Sequence, residues 1–322
     1  MDATYPSVRL AGDSLKHPDM LTPLILLDLP LSAALDTVKL PLDASNAKRA
    51  KRGKSKVAAP LTKEQSAKRI ERGIRGKLKK FTGELTKADL ATISTRILHG
   101  SQLTSVKGLE KLPKLTFLDF SKNRLTDVKG VEKLTQLTTL LLIQNNLTSV
   151  KGLGKLTQLK VLNLSKNKLT SVEGLEMPPH LSYLNLNNNQ LTEVKGLEEL
   201  TQLKTLQLNN NKLTEVPKGL QKLTLLKKLG LGSNLLTDVK SLENLTQLEW
   251  LSLYGNQLTD LKGLENLTQL ESLVLEGNQL TSVEGLENLV QLRRLYLKDN
   301  PALTKAQIDE LQKALPNCKI YR

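Results

Sequence analysis

Leucine and asparagine recur along the chain with a period of 22 residues. Each period contains the pattern L-x-x-L-x-L-x-x-N-x-L, as in residues 137–147 and 248–258. The two leucines of L-x-L point to one side of a short strand, because side chains alternate along a strand. Nine copies are complete, and a degenerate tenth begins at Ile93 with Arg96 and Ser101 in place of a leucine and the asparagine. The pattern predicts about ten structural repeats, each with one strand.

One repeat cannot bury its leucines alone. Stacking the repeats at about 4.8 Å gives a parallel sheet and one continuous aliphatic core roughly 45 Å long. The second half of each repeat, such as residues 148–153, returns the chain over the outside. The predicted fold is an α/β solenoid, with a curved parallel sheet on its concave face and short turns or 3-10 segments on its convex face.

The repeated asparagine lies where the chain leaves each strand. Its amide can pair with backbone groups that the bend would otherwise bury without partners. We therefore predict a structural role for this asparagine ladder, which comprises Asn123, Asn145, Asn167, Asn189, Asn211, Asn234, Asn256, Asn278 and Asn300.

These motifs identify the chain as similar to leucine-rich repeat proteins. The V-x-G-L-x-x-L outer half resembles the 22-residue class of the protein-phosphatase-regulatory type and of bacterial internalins, over residues 82–322. Two segments depart from it, residues 177–180 (MPPH) and the 23-residue repeat containing residues 216–220. Both keep the phase of the leucines.

The ends of a solenoid need caps, because an exposed core would aggregate. Residues 85–95 and 303–322 supply them: each begins with a threonine N-cap followed three residues later by an acidic or amide side chain. In the second cap we expect one apolar face and a closing segment formed by Ile308, Leu311, Leu315, Cys318 and Ile320. Cys318 is expected to be a small buried hydrophobe; the alternative is a reactive thiol.

Residues 1–43 lack the leucine and asparagine pattern of the repeats. The run at residues 23–32 (PLILLDLPLS), followed by Asp36-Thr37 and Leu40-Pro41, resembles the YceK-type family of small bacterial lipoproteins. That family's signal sequence and acylated cysteine are missing. The alternative is an apolar arm that docks on the solenoid. The resemblance implies the cell envelope if an upstream lipoprotein signal precedes Met1, whereas a cytoplasmic location is expected if Met1 is the true start.

Positive charge is concentrated between the N-terminal segment and the repeats. Residues 48–80 contain 14 lysines and arginines against Glu64 and Glu71, a net +12 (14 − 2) of the chain's +15. We predict a flexible basic linker at 44–61 and a basic amphipathic helix at 62–81. This region could bind an anionic membrane surface or nucleic acid nonspecifically. Alternatively, the helix is a solvated linker that lies against the first coil.

Composition disfavours catalysis and metal binding. One cysteine and three dispersed histidines give no disulfide and no metal-ligand spacing. The repeats bring together no nucleophile–base pair and no paired carboxylates. We expect no catalytic residues, no cofactor, no metal and no small-molecule substrate.

Candidate binding residues are the strand positions that point away from the leucine core. Five of the nine aromatic residues lie there, and exposed rings with nearby arginine are typical of interface hot spots. The alternative is that these rings stack on one another across strands and bind nothing. A strip of asparagines and glutamines on the middle repeats could be solvated or could form hydrogen bonds with a partner. The predicted partner-binding residues are Phe117, Tyr183, Trp250, Tyr254, Glu276, Arg294, Tyr296 and Lys298.

The sequence thus favours a non-catalytic scaffold that binds a protein or peptide on the concave face of a leucine-rich repeat solenoid. Two alternatives remain at this point. One is an envelope-associated structural protein of the lipoprotein kind, and the other is attachment to an anionic surface through residues 48–80.

Overall fold

Eleven parallel strands form a single sheet in which each strand pairs with its neighbours in chain order. The computed structural model describes residues 59–173 and 178–322. Every strand has three residues. The strands are β1 (Thr95–Ile97), β2 (Phe117–Asp119), β3 (Thr139–Leu141), β4 (Val161–Asn163), β5 (Tyr183–Asn185), β6 (Thr205–Gln207), β7 (Lys228–Gly230), β8 (Trp250–Ser252), β9 (Ser272–Val274), β10 (Arg294–Tyr296) and β11 (Lys319–Tyr321).

The strands are in register, so that the central leucine of each faces the central leucine of the next. Leu184 pairs with Leu206, and Leu206 pairs with Leu229 across the 23-residue repeat. The extra residue therefore leaves the stacking intact. The leucines of L-x-x-L-x-L are almost all inaccessible, and they form one aliphatic core that extends from Ile70 to Cys318. This is the predicted leucine-rich repeat solenoid.

Short 3-10 helices carry the chain over the side opposite the sheet. Six of the seven follow a glycine in the left-handed conformation, such as Gly152 with φ 97°. A side chain is strained at this φ, which explains the glycine of V-x-G-L. The 3-10 helices are Leu109–Lys111, Val131–Lys133, Leu153–Lys155, Leu197–Glu199, Leu220–Lys222, Lys240–Leu242 and Leu286–Asn288.

Two helices cover the N-terminal end of the core. Helix α1 (Lys63–Leu78) begins with a capping box, and Ile70 and Ile74 on its apolar side are 0% and 2% exposed. The basic helix therefore lies against the first coil. Helix α2 (Lys87–Ala91) follows with a second capping box, in which the Lys80 ammonium and the Thr86 backbone and hydroxyl lower the pKa of Asp89 to about 2.

Helix α3 (Lys305–Ala314) covers the other end. Thr304 and Gln307 form its capping box, and Ile308 and Leu311 face the core. Cys318 is 4% exposed, and burial raises the pKa of its thiol to about 11. The thiol is therefore protonated at neutral pH, and Cys318 packs as a small apolar side chain.

The repeated asparagines tie each coil to the coil before it. The amide nitrogen of Asn256 donates to the carbonyl oxygens of Leu231 in the preceding coil and Leu253 in its own coil, at 3.0 Å each. Its amide oxygen accepts from the Leu236 N–H at 3.0 Å. The other eight members of the ladder repeat this set of three bonds. These bonds satisfy buried backbone N–H and C=O groups that the neighbouring strands do not pair with.

Arg96 is a buried cation in the first coil. It occupies a leucine position at the centre of β1 and is 3% exposed. Its Nε and Nη2 atoms have no hydrogen-bond partner, and burial lowers the pKa of its guanidinium. A charge that is buried without full pairing opposes folding, so the N-terminal end of the solenoid carries an energetic cost that the later coils do not.

We expect Asn256→Ala to lower the free energy of unfolding by about 3 kcal/mol, because two carbonyls and one N–H lose their buried partner. Chemical denaturation followed by circular dichroism measures this. Asn266→Ala removes an exposed asparagine from the second half of the same repeat and should change stability by less than about 0.5 kcal/mol. Equal effects of the two substitutions would contradict the structural role of the ladder.

We expect Arg96→Met to raise the free energy of unfolding by about 2 kcal/mol, because it keeps the apolar stem and removes the unpaired charge. The same denaturation experiment measures the change. Arg72→Met is the control, since Arg72 is exposed on α1. A loss of stability in Arg96→Met alone would show that the guanidinium is satisfied in the folded protein.

Candidate functional site

The side of the sheet turned away from the leucine core is called the outer sheet face. Each coil contributes the first and third residues of its strand and the residue two positions further on. Because the strands are in register, these residues form three rows that run across the solenoid. The face corresponds to the concave side of a leucine-rich repeat solenoid, where the sequence places the partner-binding residues.

Trp250 and Tyr254 stand on the same coil, and both are half-buried. The Tyr254 ring lies over Gly232 of the preceding coil, where a Cβ would overlap its Cδ1 and Cε1 atoms. The hydroxyl of Tyr254 accepts a hydrogen bond from the Asn210 amide at 3.1 Å, two coils away. Burial raises the pKa of this hydroxyl above its ordinary value. The ring is thus held flat along the sheet by a neighbour that lacks a side chain.

Small side chains lie around these two rings. Ser252 and Ser272 also occupy strand positions of the outer sheet face, yet they are only 2% and 3% exposed. Larger neighbouring side chains therefore cover them. The outer-face side chains that remain partly accessible on these two coils are Trp250, Tyr254 and Glu276.

The amide strip on the middle coils is hydrogen-bonded within itself. Asn187 Oδ1 accepts from the backbone N–H of Asn209 at 2.7 Å, and Asn209 Oδ1 accepts from the N–H of Gly232 at 2.7 Å. Asn209 Nδ2 also donates to Gln207 Oε1 at 3.0 Å. These amides link one coil to the next, so much of their bonding capacity is already used.

Tyr183 shares this internal bonding. The amide of Asn185 donates to its hydroxyl at 3.1 Å, and the Tyr183 ring is half-buried. Burial raises the pKa of the hydroxyl. The ring is therefore held in one orientation on the fifth coil.

The last two strands carry a stacked pair of tyrosines. The rings of Tyr296 and Tyr321 lie 4.4 Å apart and nearly parallel, at 4°. Tyr296 is only 7% exposed, so for this residue the structure shows the cross-strand stacking that was the alternative to an open ring. Lys319 lies with its ammonium 4.8 Å from the centre of the Tyr321 ring.

Phe117 also differs from the expectation of an open ring. It is 9% exposed although it starts β2 on the outer sheet face. Neighbouring side chains cover it, and little of its ring can reach a partner. The charged candidates are more accessible: Arg294 and Lys298 are exposed, and Glu276 is half-buried.

The pattern analysis missed the eleventh strand and with it Lys319 and Tyr321. The signal is present, because Leu315, Cys318 and Ile320 keep the L-x-x-L-x-L spacing with other apolar residues. The asparagine that ends the other copies is absent from this one. The sheet therefore extends one coil further than the nine complete copies and the degenerate one indicate.

Within residues 59–173 and 178–322, no cluster of three or more His, Cys, Asp or Glu side chains is placed to hold a metal ion. None of the helices described in those ranges is both long and apolar enough to cross a bilayer.

Sequence comparisons identify the repeats. A family model described as Leucine Rich repeats (2 copies) matches residues 135–177, 246–288 and 268–313, and a Leucine rich repeat model matches residues 198–258. No curated protein matches the chain significantly. The similarity to YceK-type lipoproteins concerns residues 1–43, which lie outside the described residues, and it stays a prediction.

Solved structures of bacterial proteins are similar to the chain. A leucine-rich repeat protein of Leptospira interrogans is 32% identical, with 74% of this chain and 69% of that chain covered and a TM-score of 0.63. The internalin InlF of Listeria monocytogenes is 26% identical, with 78% and 87% covered and a TM-score of 0.54. The functional domain of InlJ from the same organism is 29% identical over 68% of this chain and 54% of that chain, with a TM-score of 0.54. The chain belongs to the leucine-rich repeat proteins.

Proposed function

We propose that the protein is a non-catalytic scaffold that binds a protein or peptide on its outer sheet face, with Trp250 and Tyr254 as the central anchors. The observation that carries the proposal is this pair of half-buried rings on one coil of a face where Phe117 and Tyr296 are covered and the half-buried Tyr183 is the single ring of its coil. Repeat solenoids use extended concave surfaces for binding. Tryptophan and tyrosine are the residue types that most often dominate interface energies.

The local geometry favours binding because one of the two anchors, Tyr254, is already ordered. Tyr254 is fixed by its seat on Gly232 and by the Asn210 amide. Ordering a free aromatic side chain on association would cost about 0.5–1.5 kcal/mol. A ring that is held before binding avoids most of this cost, so the same contact area gives tighter binding.

The basic region has a different geometry. Ile70 and Ile74 of α1 pack on the first coil, and the apolar side of this helix therefore cannot also insert into a membrane without uncapping the solenoid. Attachment to an anionic membrane or to nucleic acid would then depend on charge alone, and residues 48–58 of the basic stretch lie outside the described residues. Both this alternative and the envelope-associated one stay predictions.

A photo-crosslinking side chain at position 254 tests where the partner binds. We expect an adduct with a cellular protein when p-benzoylphenylalanine replaces Tyr254, because that position lies at the centre of the proposed interface. The same group at Leu225, which is 44% exposed and precedes β7, is the control. Mass spectrometry identifies the adducts. Adducts from position 225 only, or from neither position, would exclude the outer sheet face as the surface that binds the partner.

We expect Trp250→Ala combined with Tyr254→Ala to abolish capture of that same protein from lysate, because both anchors are lost. Thermal unfolding should change little, since neither ring is part of the leucine core. Leu225→Ala combined with Val290→Ala is the matched control, because it removes two exposed apolar side chains elsewhere. Undiminished capture by the anchor variant would contradict the proposal.

We expect Gly232→Ala to displace the Tyr254 ring, because the added methyl overlaps it. The Tyr254 hydroxyl then loses burial, and its pKa falls toward the ordinary value near 10. A difference titration of tyrosinate absorbance against the unmodified protein measures this shift, and partner capture should weaken in parallel. Gly76→Ala adds a methyl in open space on α1 and should leave the titration unchanged. An unaltered titration in Gly232→Ala would show that the ring does not rest there.

A further inference from the structure

The outer sheet face carries unpaired positive charge at its C-terminal end. Four cations lie there: Lys228 on β7, Arg294 on β10, Lys298 in the turn after β10 and Lys319 on β11. Within the described ranges none of them makes an ion pair. Glu276 is the acidic side chain on the same coils of this face. The face therefore presents a net positive charge that no carboxylate of the described residues neutralises.

Two basic residues next to these strand positions are paired with carboxylates. Lys227, one position before β7, binds Glu249 at 2.6 Å, and Arg322 binds Asp309 at 3.1 Å. Carboxylates are thus available near this end of the molecule, yet they pair with residues at the edges of the face. Lys228, Arg294, Lys298 and Lys319 are left unpaired by these carboxylates, and they lie at positions that a partner on this face would contact.

The sheet register places these cations in line with the aromatic anchor. The first residues of β7 to β11 form one row in the order Lys228, Trp250, Ser272, Arg294 and Lys319. With adjacent strands about 4.8 Å apart, Lys228 and Arg294 are separated by about 14 Å along the row. Trp250 stands between them, one strand from Lys228.

We propose that this row binds an acidic segment of the protein partner in an extended conformation. One carboxylate would bind Lys228, a second would bind Arg294, and an apolar side chain between them would contact Trp250. An extended chain advances about 3.4 Å per residue, so the two acidic residues would stand about four positions apart. This inference rests on the proposed function and adds the chemistry of the partner.

Charge complementarity favours a carboxylate-bearing peptide over a single-stranded nucleic acid. Nucleic acid binding of this kind uses successive open ring faces on which bases stack. Here Tyr296 and Tyr321 stack on each other, and Lys319 lies over the Tyr321 ring. Among the first residues of β7 to β11, Trp250 is the single aromatic side chain, and it is half-buried. An arginine such as Arg294 can instead bind a carboxylate through two hydrogen bonds.

Peptide selection tests the proposal with the full chain. A random peptide library is displayed and selected for binding, and the binding of enriched peptides is measured by the fluorescence of Trp250, the single tryptophan of the chain. We expect the enriched peptides to contain paired Asp or Glu residues. Lys228→Gln combined with Arg294→Gln should weaken their binding about fivefold, and raised salt should weaken binding to the unmodified protein.

Two controls assign the effect to the row. Lys240→Gln combined with Lys262→Gln removes the same charge from exposed lysines on the side of the 3-10 helices, and it should leave the affinity unchanged. Peptides in which Asn and Gln replace Asp and Glu should bind the unmodified protein and the Lys228–Arg294 variant equally weakly. An oligothymidylate that bound more tightly than every selected peptide would overturn the proposal in favour of a nucleic acid.

The remaining outcomes separate this inference from the proposed function. If the selected peptides are neutral, or if none is enriched, the proposal that the partner contributes an acidic segment is wrong. If a photo-crosslinker at position 254 still captures a protein in that case, the binding face stands and only its chemistry changes. Absence of both peptides and adducts would remove the face as well.

Discussion

The solenoid depends on the hydrogen bonds that each ladder asparagine makes to the backbone of the preceding coil. Leucine burial alone could tolerate slippage between coils, whereas the amide of Asn145 must reach both the carbonyl of Phe120 and the N–H of Leu125. This requirement fixes the spacing and register of neighbouring coils. It also explains why the first coil has Ser101 at the asparagine position: no coil precedes it, and helix α1 bonds there through Arg69 instead, 3.1 Å from the Ser101 carbonyl.

Much of this architecture can be predicted from the sequence because the same pattern of leucines and asparagine recurs in each repeat. The leucine spacing predicts the core, and the asparagine period predicts the ladder. The sequence does not determine which surface the apolar side of α1 contacts, because Ile70 and Ile74 have the same helical spacing whether that side faces lipid or the first coil. Their exposures of 0% and 2% show that these two side chains pack within the solenoid core, while attachment of the basic region to an anionic surface stays a prediction. The eleventh strand was missed because Cys318 replaces a leucine and no asparagine follows.

The candidate site was harder to predict than the fold. Outward positions follow from strand alternation, but the exposure of a side chain there depends on the size of its neighbours. Tyr254 lies flat because Gly232 leaves room for it, and Tyr296 is covered because Tyr321 stacks on it. Phe117 is 9% exposed despite occupying the same kind of position as Trp250. Packing between coils therefore divides nominally equivalent positions into available and unavailable ones.

Charge is divided in a similar way. Most of the net +15 comes from residues 48–80, where α1 caps the solenoid, and this total says little about the outer sheet face. Four cations on that face matter more, because none of them makes an ion pair within the described residues and three of them share a row with the half-buried Trp250. A partner that supplies carboxylates gains electrostatic attraction without breaking an existing ion pair. Under the proposal of an acidic segment, unpaired local charge, more than net charge, determines which partner chemistry the scaffold favours.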